Sequence, residues 1–240
     1  MATYERVDGM WNEIGGFSGA SVFQPEYRCR TCGEAIEKKW YDITGDCRRC
    51  HEGENDVGEA VEKIYTVSIY LGQDQGHALS EEIVEAKNGD HVTKMAEILA
   101  WGVRNFDDLE RADILVPPPS GEGGDNHMVK IGNELSKQVG IPLRDVVSKR
   151  VDYPAQKHVD SAEERMENIR GKMESSEPLR DVNFAVVIDD IVTTCATISN
   201  TGRALIEAGV KTVIGLGIAR DESLSNLHHV GALELVDDDE

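Results

Sequence analysis

Residues 183–208 read NFAVVIDDIVTTCATISNTGRALIEA. Ala185, Val186, Val187 and Ile188 run directly into Asp189 and Asp190, and the β-branched content of that run predicts a buried strand. The polar segment Thr193, Thr194, Cys195, Ala196 and Thr197 then leads into a helical pattern with Ile198, Leu205 and Ile206 on its apolar side. A strand, a phosphate-sized loop and a helix start therefore follow one another. Hydroxyls and unpaired backbone N–H groups at such a start suit a phosphate dianion, and the paired carboxylates at the strand end suit sugar hydroxyls or a metal-bound sugar phosphate.

Outward from this stretch the same alternation recurs. Lys211–Ala219 is a near-continuous apolar run of the kind found in buried parallel strands. Ala112–Val116 and Val61–Leu71 predict further strands. Ile83, Val84, Val92, Met95, Ile98 and Leu99, interrupted at Asn88-Gly89-Asp90, predict two short helices joined by a turn. Met128, Ile131, Leu135 and Val139 mark one face of a helix closed by Gly140 and Pro142. Such alternation predicts an α/β fold, a doubly wound parallel sheet whose site lies at the strand C-terminal ends. Ala232–Val236 is a short strand candidate, residues 1–28 read as an irregular arm or a short element packing on the next module, and 151–173 read as an exposed loop with a short acidic helix.

A different chemistry sits near the N-terminus. Cys29 and Cys32 form one CxxC pair, and Cys47 and Cys50 form a second after fourteen intervening residues. This spacing brings four thiolates to one tetrahedral zinc, with Gly33 suited to the turn after the first pair. Such a site leaves no open coordination position, so the metal holds a module together and catalyses nothing. Arg28, Arg30, Arg48 and Arg49 crowd the pairs. They read as an offset to thiolate charge, with a small basic face for nucleic acid or an acidic partner as the alternative.

Forty-five acidic against 25 basic residues give a formal charge of −20, which disfavours non-specific contact with nucleic acid or anionic lipid and suits a high-salt, halophilic cytoplasm. No apolar stretch approaches membrane-span length, and the N-terminus lacks the pattern of a secretion signal, so a cytoplasmic protein without membrane contact is expected. That setting favours zinc over disulfides at the cysteines.

The apolar run, the two acids and the Thr-Thr-Cys-Ala-Thr segment together resemble the signature of the phosphoribosyltransferases. The resemblance implies a type I phosphoribosyltransferase-like parallel sheet with helices on both faces, binding phosphoribosyl pyrophosphate (PRPP) together with magnesium. Asp189 and Asp190 would meet the ribose hydroxyls, Asp190 nearer the reacting centre, and Thr193, Thr194, Cys195, Ala196 and Thr197 would surround the 5-phosphate. Cys195 stands where the family has glycine, a residue used for close backbone approach or for a dihedral that side chains dislike. Near a helix N-terminus its thiol pKa is expected to fall, although no His-Asp arrangement makes it a nucleophile.

The order of a zinc knuckle, a strand and a Lys87-Asn-Gly turn is further similar to the ComF-like phosphoribosyltransferases. These carry a Val-Pro-Val-Pro run and an Arg-Gly-Phe-Asn-Gln loop where this chain has Pro117-Pro118-Pro119-Ser120 and, later, Asp125-Asn126-His127. The basic residue is replaced by Gly123, which removes an anion clamp. Arg150, Gln156, Arg165, Asn168 and Gly171 match the family's hood, with Lys157, His158 and Arg165 as charges for a leaving pyrophosphate. The resemblance divides the chain into an N-terminal arm with a zinc-ribbon-like module over 1–55 and a transferase-like domain over 56–240, with the hood near 150–173. Its site comprises Asp189, Asp190, Lys157 and Arg165 for catalysis and Thr193–Thr197, Pro119 and Ser120 for binding. Two alternatives stay open. One is a PRPP- or nucleotide-sensing accessory protein of DNA processing that has lost turnover; the other is a zinc-bearing scaffold for such a partner. A homodimer is also left open.

Overall fold

The computed structural model describes residues 3–6, 10–14, 22–52, 57, 60–72, 77–119, 126–150 and 172–236. Strands β1 (Thr3–Arg6), β2 (Trp11–Ile14) and β3 (Val22–Pro25) are followed by short helices α1 (Lys38–Ile43) and α2 (Arg48–His51). Next come β4 (Ile64–Tyr70), α3 (Ala78–Ala86), α4 (Val92–Asn105), β5 (Ile114–Val116) and α5 (His127–Val139). The chain continues through β6 (Val147–Lys149), β7 (Met173–Ser175), β8 (Phe184–Val192), α6 (Ala196–Ala208), β9 (Thr212–Asp221), α7 (Leu224–His229) and β10 (Leu233–Val236).

The fold is α/β. Four strands form a parallel sheet in the order β4-β9-β8-β5, with Ile64 opposite Gly215, Val186 opposite Ile214 and Leu115 opposite Val186. Because side chains alternate along a strand, each buried strand must supply two apolar faces. Val186, Ile188, Leu216 and Ile218 pack with Ile83, Met95, Leu99, Ile131 and Leu135 of α3, α4 and α5. Ala185, Val187 and Val213 point the other way and pack with Ile198, Ala204 and Leu205 of α6. Gly215 lies under α6: a Cβ there would fall 2.7 Å from Ile198, so its absence permits the close helix–sheet approach. No helix among the described residues is long and apolar enough to cross a membrane.

One expectation is narrowed and one changes. Of the two readings of residues 1–28, the described part takes the second, short packed elements: β1 pairs antiparallel with β10, Thr3 opposite Val236, and β2 pairs antiparallel with β3. Pairing between the two ends of a chain has no local signal, because a short strand is stabilised by its partner rather than by its own pattern. Ile206 does not join the apolar side of α6 but is 38% exposed. At 3.6 residues per turn Leu205 returns to the side of Ile198, whereas Ile206 is rotated about 100° beyond it.

The cysteine-bearing segment lies along the outer edge of β4. Thr31 O accepts from Ile64 N at 2.7 Å, Thr66 O accepts from Arg28 Nη1 at 2.6 Å, and Phe23 O accepts from Ser68 Oγ at 3.1 Å. An edge strand exposes unpaired backbone groups, and the first two contacts cover Ile64 N and Thr66 O. Cys29, Cys32 and Cys47 accordingly share one apolar cluster with Ile64, Ile198 and Val213.

Candidate functional site

The sulfurs of Cys29, Cys32, Cys47 and Cys50 lie within 4.8 Å of one another. Cys32 and Cys47 are 3.7 Å apart, and the Cys32 N–H points at Cys29 Sγ at 3.4 Å. A tetrahedron with metal–sulfur bonds of about 2.3 Å has sulfur–sulfur edges of about 3.8 Å, so the donor set fits a zinc-sized thiophilic ion. Gly33 adopts φ +77°, a left-handed turn that suits glycine, and lies against Thr66 of β4, where a Cβ would fall 2.9 Å from its hydroxyl. The four cysteines thus come together as their spacing implies.

The second centre forms where β8 gives way to α6. Pleat alternation sends adjacent Asp189 and Asp190 to opposite faces of the sheet. Asp189 continues the side of Ala185 and Val187 and, with Thr193, Thr194, Cys195, Ala196 and Thr197, lines a depression of about 10 Å³. Asp190 continues the side of Val186 and Ile188, toward α3 and α5. There its Oδ2 accepts from Lys87 Nζ at 3.1 Å and from His127 Nε2 at 2.9 Å, while its Oδ1 accepts from Ile191 N at 2.7 Å.

These surroundings split the pair electrostatically. Burial and the neighbouring Asp190 charge push the Asp189 carboxyl well above the usual carboxylate range, against the Asp190 N–H that donates to its Oδ1 at 3.0 Å. Burial also pushes Asp190 up, but the His127 hydrogen bond and the Lys87 ammonium overcome it and hold this carboxyl down to about 2. One acid is a fixed anion; its neighbour retains a proton more readily.

Cys195 is the N-cap of α6 and adopts φ +67°, so the residue at the expected glycine position does occupy a left-handed dihedral. Its sulfur is buried and accepts from Arg220 Nη1 at 3.2 Å. Arg220 Nη2 reaches Glu34 Oε2 at 3.7 Å, and that oxygen is 3.9 Å from Cys32 Sγ. The Arg220 guanidinium favours the thiolate form of Cys195, against its burial. This partner comes in addition to the helix start that sequence reasoning invoked.

Pro119 follows β5, the strand paired with β8, and is half-buried. The start of α5 is tied to this turn by Asn126, whose Nδ2 donates to Pro118 O at 3.0 Å and whose Oδ1 accepts from Met128 N at 3.1 Å. Ser120, Lys157 and Arg165 lie outside the described residues. Sequence reasoning passed over Lys87, His127 and Arg220 as partners of the site. Lys87 in its Asn-Gly turn and His127 after the glycine-rich loop were noticed, but nothing local signals that both converge on Asp190.

No protein-family model matches the chain, and no curated protein matches it. Among solved structures it is similar to the purine phosphoribosyltransferase from Pyrococcus horikoshii Ot3, at 16% identity over 65% of this chain and 88% of that one, with a TM-score of 0.33. It is also similar to the orotate phosphoribosyltransferase from Aeropyrum pernix, at 17% identity over 60% and 80% of the two chains, with a TM-score of 0.35. The glutamine PRPP amidotransferase from B. subtilis matches at 17% identity over 59% of this chain and 33% of that chain, with a TM-score of 0.35. Likenesses of this size carry no argument about function, which rests on the geometry above.

Proposed function

We propose that the chain is a phosphoribosyltransferase-like protein, similar to the ComF-like group, that binds PRPP at the β8–α6 turn. The observation that carries this reading is the placement of Asp189 and Asp190 near the C-terminal end of a central parallel strand, with Thr193–Thr197 in the turn and helix start that follow it. Ligands of open parallel sheets bind there, where helix N–H groups are free to meet phosphate. In this reading the N–H groups and hydroxyls from Thr193 to Thr197 hold the 5-phosphate, and the carboxylates accept from the ribose hydroxyls. Because the depression at the loop encloses only about 10 Å³, the phosphate rests over the turn rather than inside it. Lys87 and His127 orient Asp190 and keep it ionised, so that it opposes positive charge growing on the sugar as pyrophosphate departs. Pro119, Ser120, Lys157 and Arg165 belong to the same proposal as contacts of the diphosphate side.

Magnesium does not fit these residues as a protein-held ion: Asp190 is already engaged by Lys87 and His127, and Asp189 disfavours its own ionised form. Magnesium would travel on the oxygens of the diphosphate. Zinc is proposed for the four cysteines, as the fastening of a module within residues 1–55 against the transferase-like unit over 56–240.

Calorimetric titration with PRPP and magnesium, followed by a screen of nitrogenous bases for pyrophosphate release, tests the proposal. Saturable binding with base-dependent release is expected. A folded, zinc-loaded protein that does not bind PRPP overturns it. A second reading, binding without turnover, is favoured by the shallow depression and by Cys195 in place of glycine; PRPP binding with no pyrophosphate release from any base selects it.

A further inference from the structure

A second concavity, of about 350 Å³, lies between the cysteine-bearing segment and the start of β4, and it is lined by Arg28, Arg30 and Lys63 among others. The β8–α6 turn belongs to a different strand, separated from β4 by β9. Each cation is held against a ring. The Arg30 guanidinium stands 4.8 Å from the Tyr41 centroid, Lys63 Nζ stands 4.8 Å from that of Tyr65, and the Arg28 guanidinium stands 5.9 Å from that of Phe106. None of the three makes an ion pair among the described residues, although Glu26 and Asp107 also line the cavity. In a chain of formal charge −20, three cations thus share one cavity with two carboxylates and with Cys29.

The rings hold the cations rather than offering a stacking platform. Tyr65 is stacked on Phe106 with centroids 4.6 Å apart, and Lys63 lies over Tyr65 as well. Recognition in this cavity therefore runs through charge. Arg28 is half-buried and donates from Nη1 to the Thr66 carbonyl. Ring-held cations lose little side-chain freedom when an anion arrives, and a concave site of this size matches a small metabolite.

We propose that the cavity framed by Arg28, Arg30 and Lys63 is a binding site for the phosphate or diphosphate group of a small phosphorylated metabolite. It is independent of the site at Asp189–Thr197. A polymer is disfavoured, because the surrounding negative charge repels the neighbouring phosphodiesters that a small ligand lacks.

Equilibrium dialysis of labelled inorganic pyrophosphate against the full, metal-loaded chain at low salt tests the assignment. The double variant Arg30→Gln/Lys63→Gln leaves the Arg28–Thr66 contact in place. It is expected to weaken one pyrophosphate site per chain by about tenfold or more, with metal content and thermal melting unchanged. The double variant Asp189→Asn/Asp190→Asn is expected to keep that site, which separates this proposal from the transferase-like one. Asp107→Asn removes a negative charge from the rim and is expected to tighten binding, an effect that loss of folding cannot imitate. Adenosine monophosphate is expected to compete. Pyrophosphate binding unchanged in Arg30→Gln/Lys63→Gln, no saturable binding to the unaltered chain, or competition only by a single-stranded oligonucleotide overturns the proposal.

Discussion

The cysteine cluster and the β8–α6 turn present two ways of assembling a site. In the cluster, four like residues converge on one point, and two local CxxC turns do most of the work. In the turn, neighbours in sequence are driven apart: Asp189 faces α6 and its loop, whereas Asp190 faces Lys87 and His127. Yet the two meet, since Cys195 of the turn and Cys32 of the cluster sit on either side of the Arg220–Glu34 contact. The difference teaches that spacing encodes a site closed by its own segment, while a site spread over three elements is encoded in how those elements pack.

Breaking the cluster tests this most severely. Cys29→Ser, or stripping the metal with a strong chelator, is expected to lower thermal stability by several kcal/mol, because metal affinity in such a site is folding free energy of about 10 kcal/mol or more in small zinc modules. The loss should reach beyond the module, since Cys29, Cys32 and Cys47 share an apolar cluster with β9 and α6. Hydrogen exchange is expected to quicken in Ala196–Leu205 after chelation. Unchanged metal content and melting in Cys29→Ser would reject the metal assignment; faster exchange confined to residues 29–50 would make the two regions independent.

Within the turn, the adjacent acids should respond with opposite signs. Asp190 has a folded pKa of about 2 against a reference of 3.8, so its stabilisation is fully present above pH 3.8 and is lost as pH falls through about 2. That shift corresponds to about 2 kcal/mol, and Asp190→Asn forfeits it while leaving Lys87 and His127 without their anion. Asp189 is raised instead, so its ionised form penalises the folded state above pH 3.8. Asp189→Asn is expected to raise stability at neutral pH, because the amide oxygen can still accept from Asp190 N–H. Urea unfolding of both variants at pH 7 checks the signs. If both variants are destabilised alike, the division of the pair by the pleat has no energetic consequence.

The same contrast explains what was legible in the sequence. Strand and helix periods identified the parallel sheet because buried strands need two apolar faces, and that requirement is written in runs such as Ala185–Ile188 and Thr212–Ala219. The cysteines were legible because both ligands of each pair sit in a single turn. Lys87 and His127 were not, since each terminates or opens a helix with no local mark of a distant carboxylate. The β1–β10 pair was hidden for the same reason, its partners lying at opposite ends of the chain. Cys195 was flagged as standing in a glycine position, but its sulfur's partner Arg220 comes from the far end of β9.

Cys195 therefore offers the finest test, because two contributions at one residue oppose each other. Glycine would accept φ +67° without the cost of about 1 kcal/mol that a left-handed dihedral imposes on a side chain. Against this, Cys195→Gly removes a buried thiol, worth about 1 kcal/mol, and takes from buried Arg220 a charge-assisted contact worth about 1.5 kcal/mol or more. The balance predicts a net loss of about 1–2 kcal/mol in urea unfolding. Ligand binding should move the other way, because a side chain at 195 restricts how closely phosphate approaches the Ala196 and Thr197 N–H groups. Tighter PRPP binding in a less stable Cys195→Gly protein would mark the residue as a link to the cysteine cluster, kept at the expense of the phosphate turn. Weaker binding together with unchanged stability would mean that the Arg220 contact is incidental and that the thiol itself belongs to the ligand site.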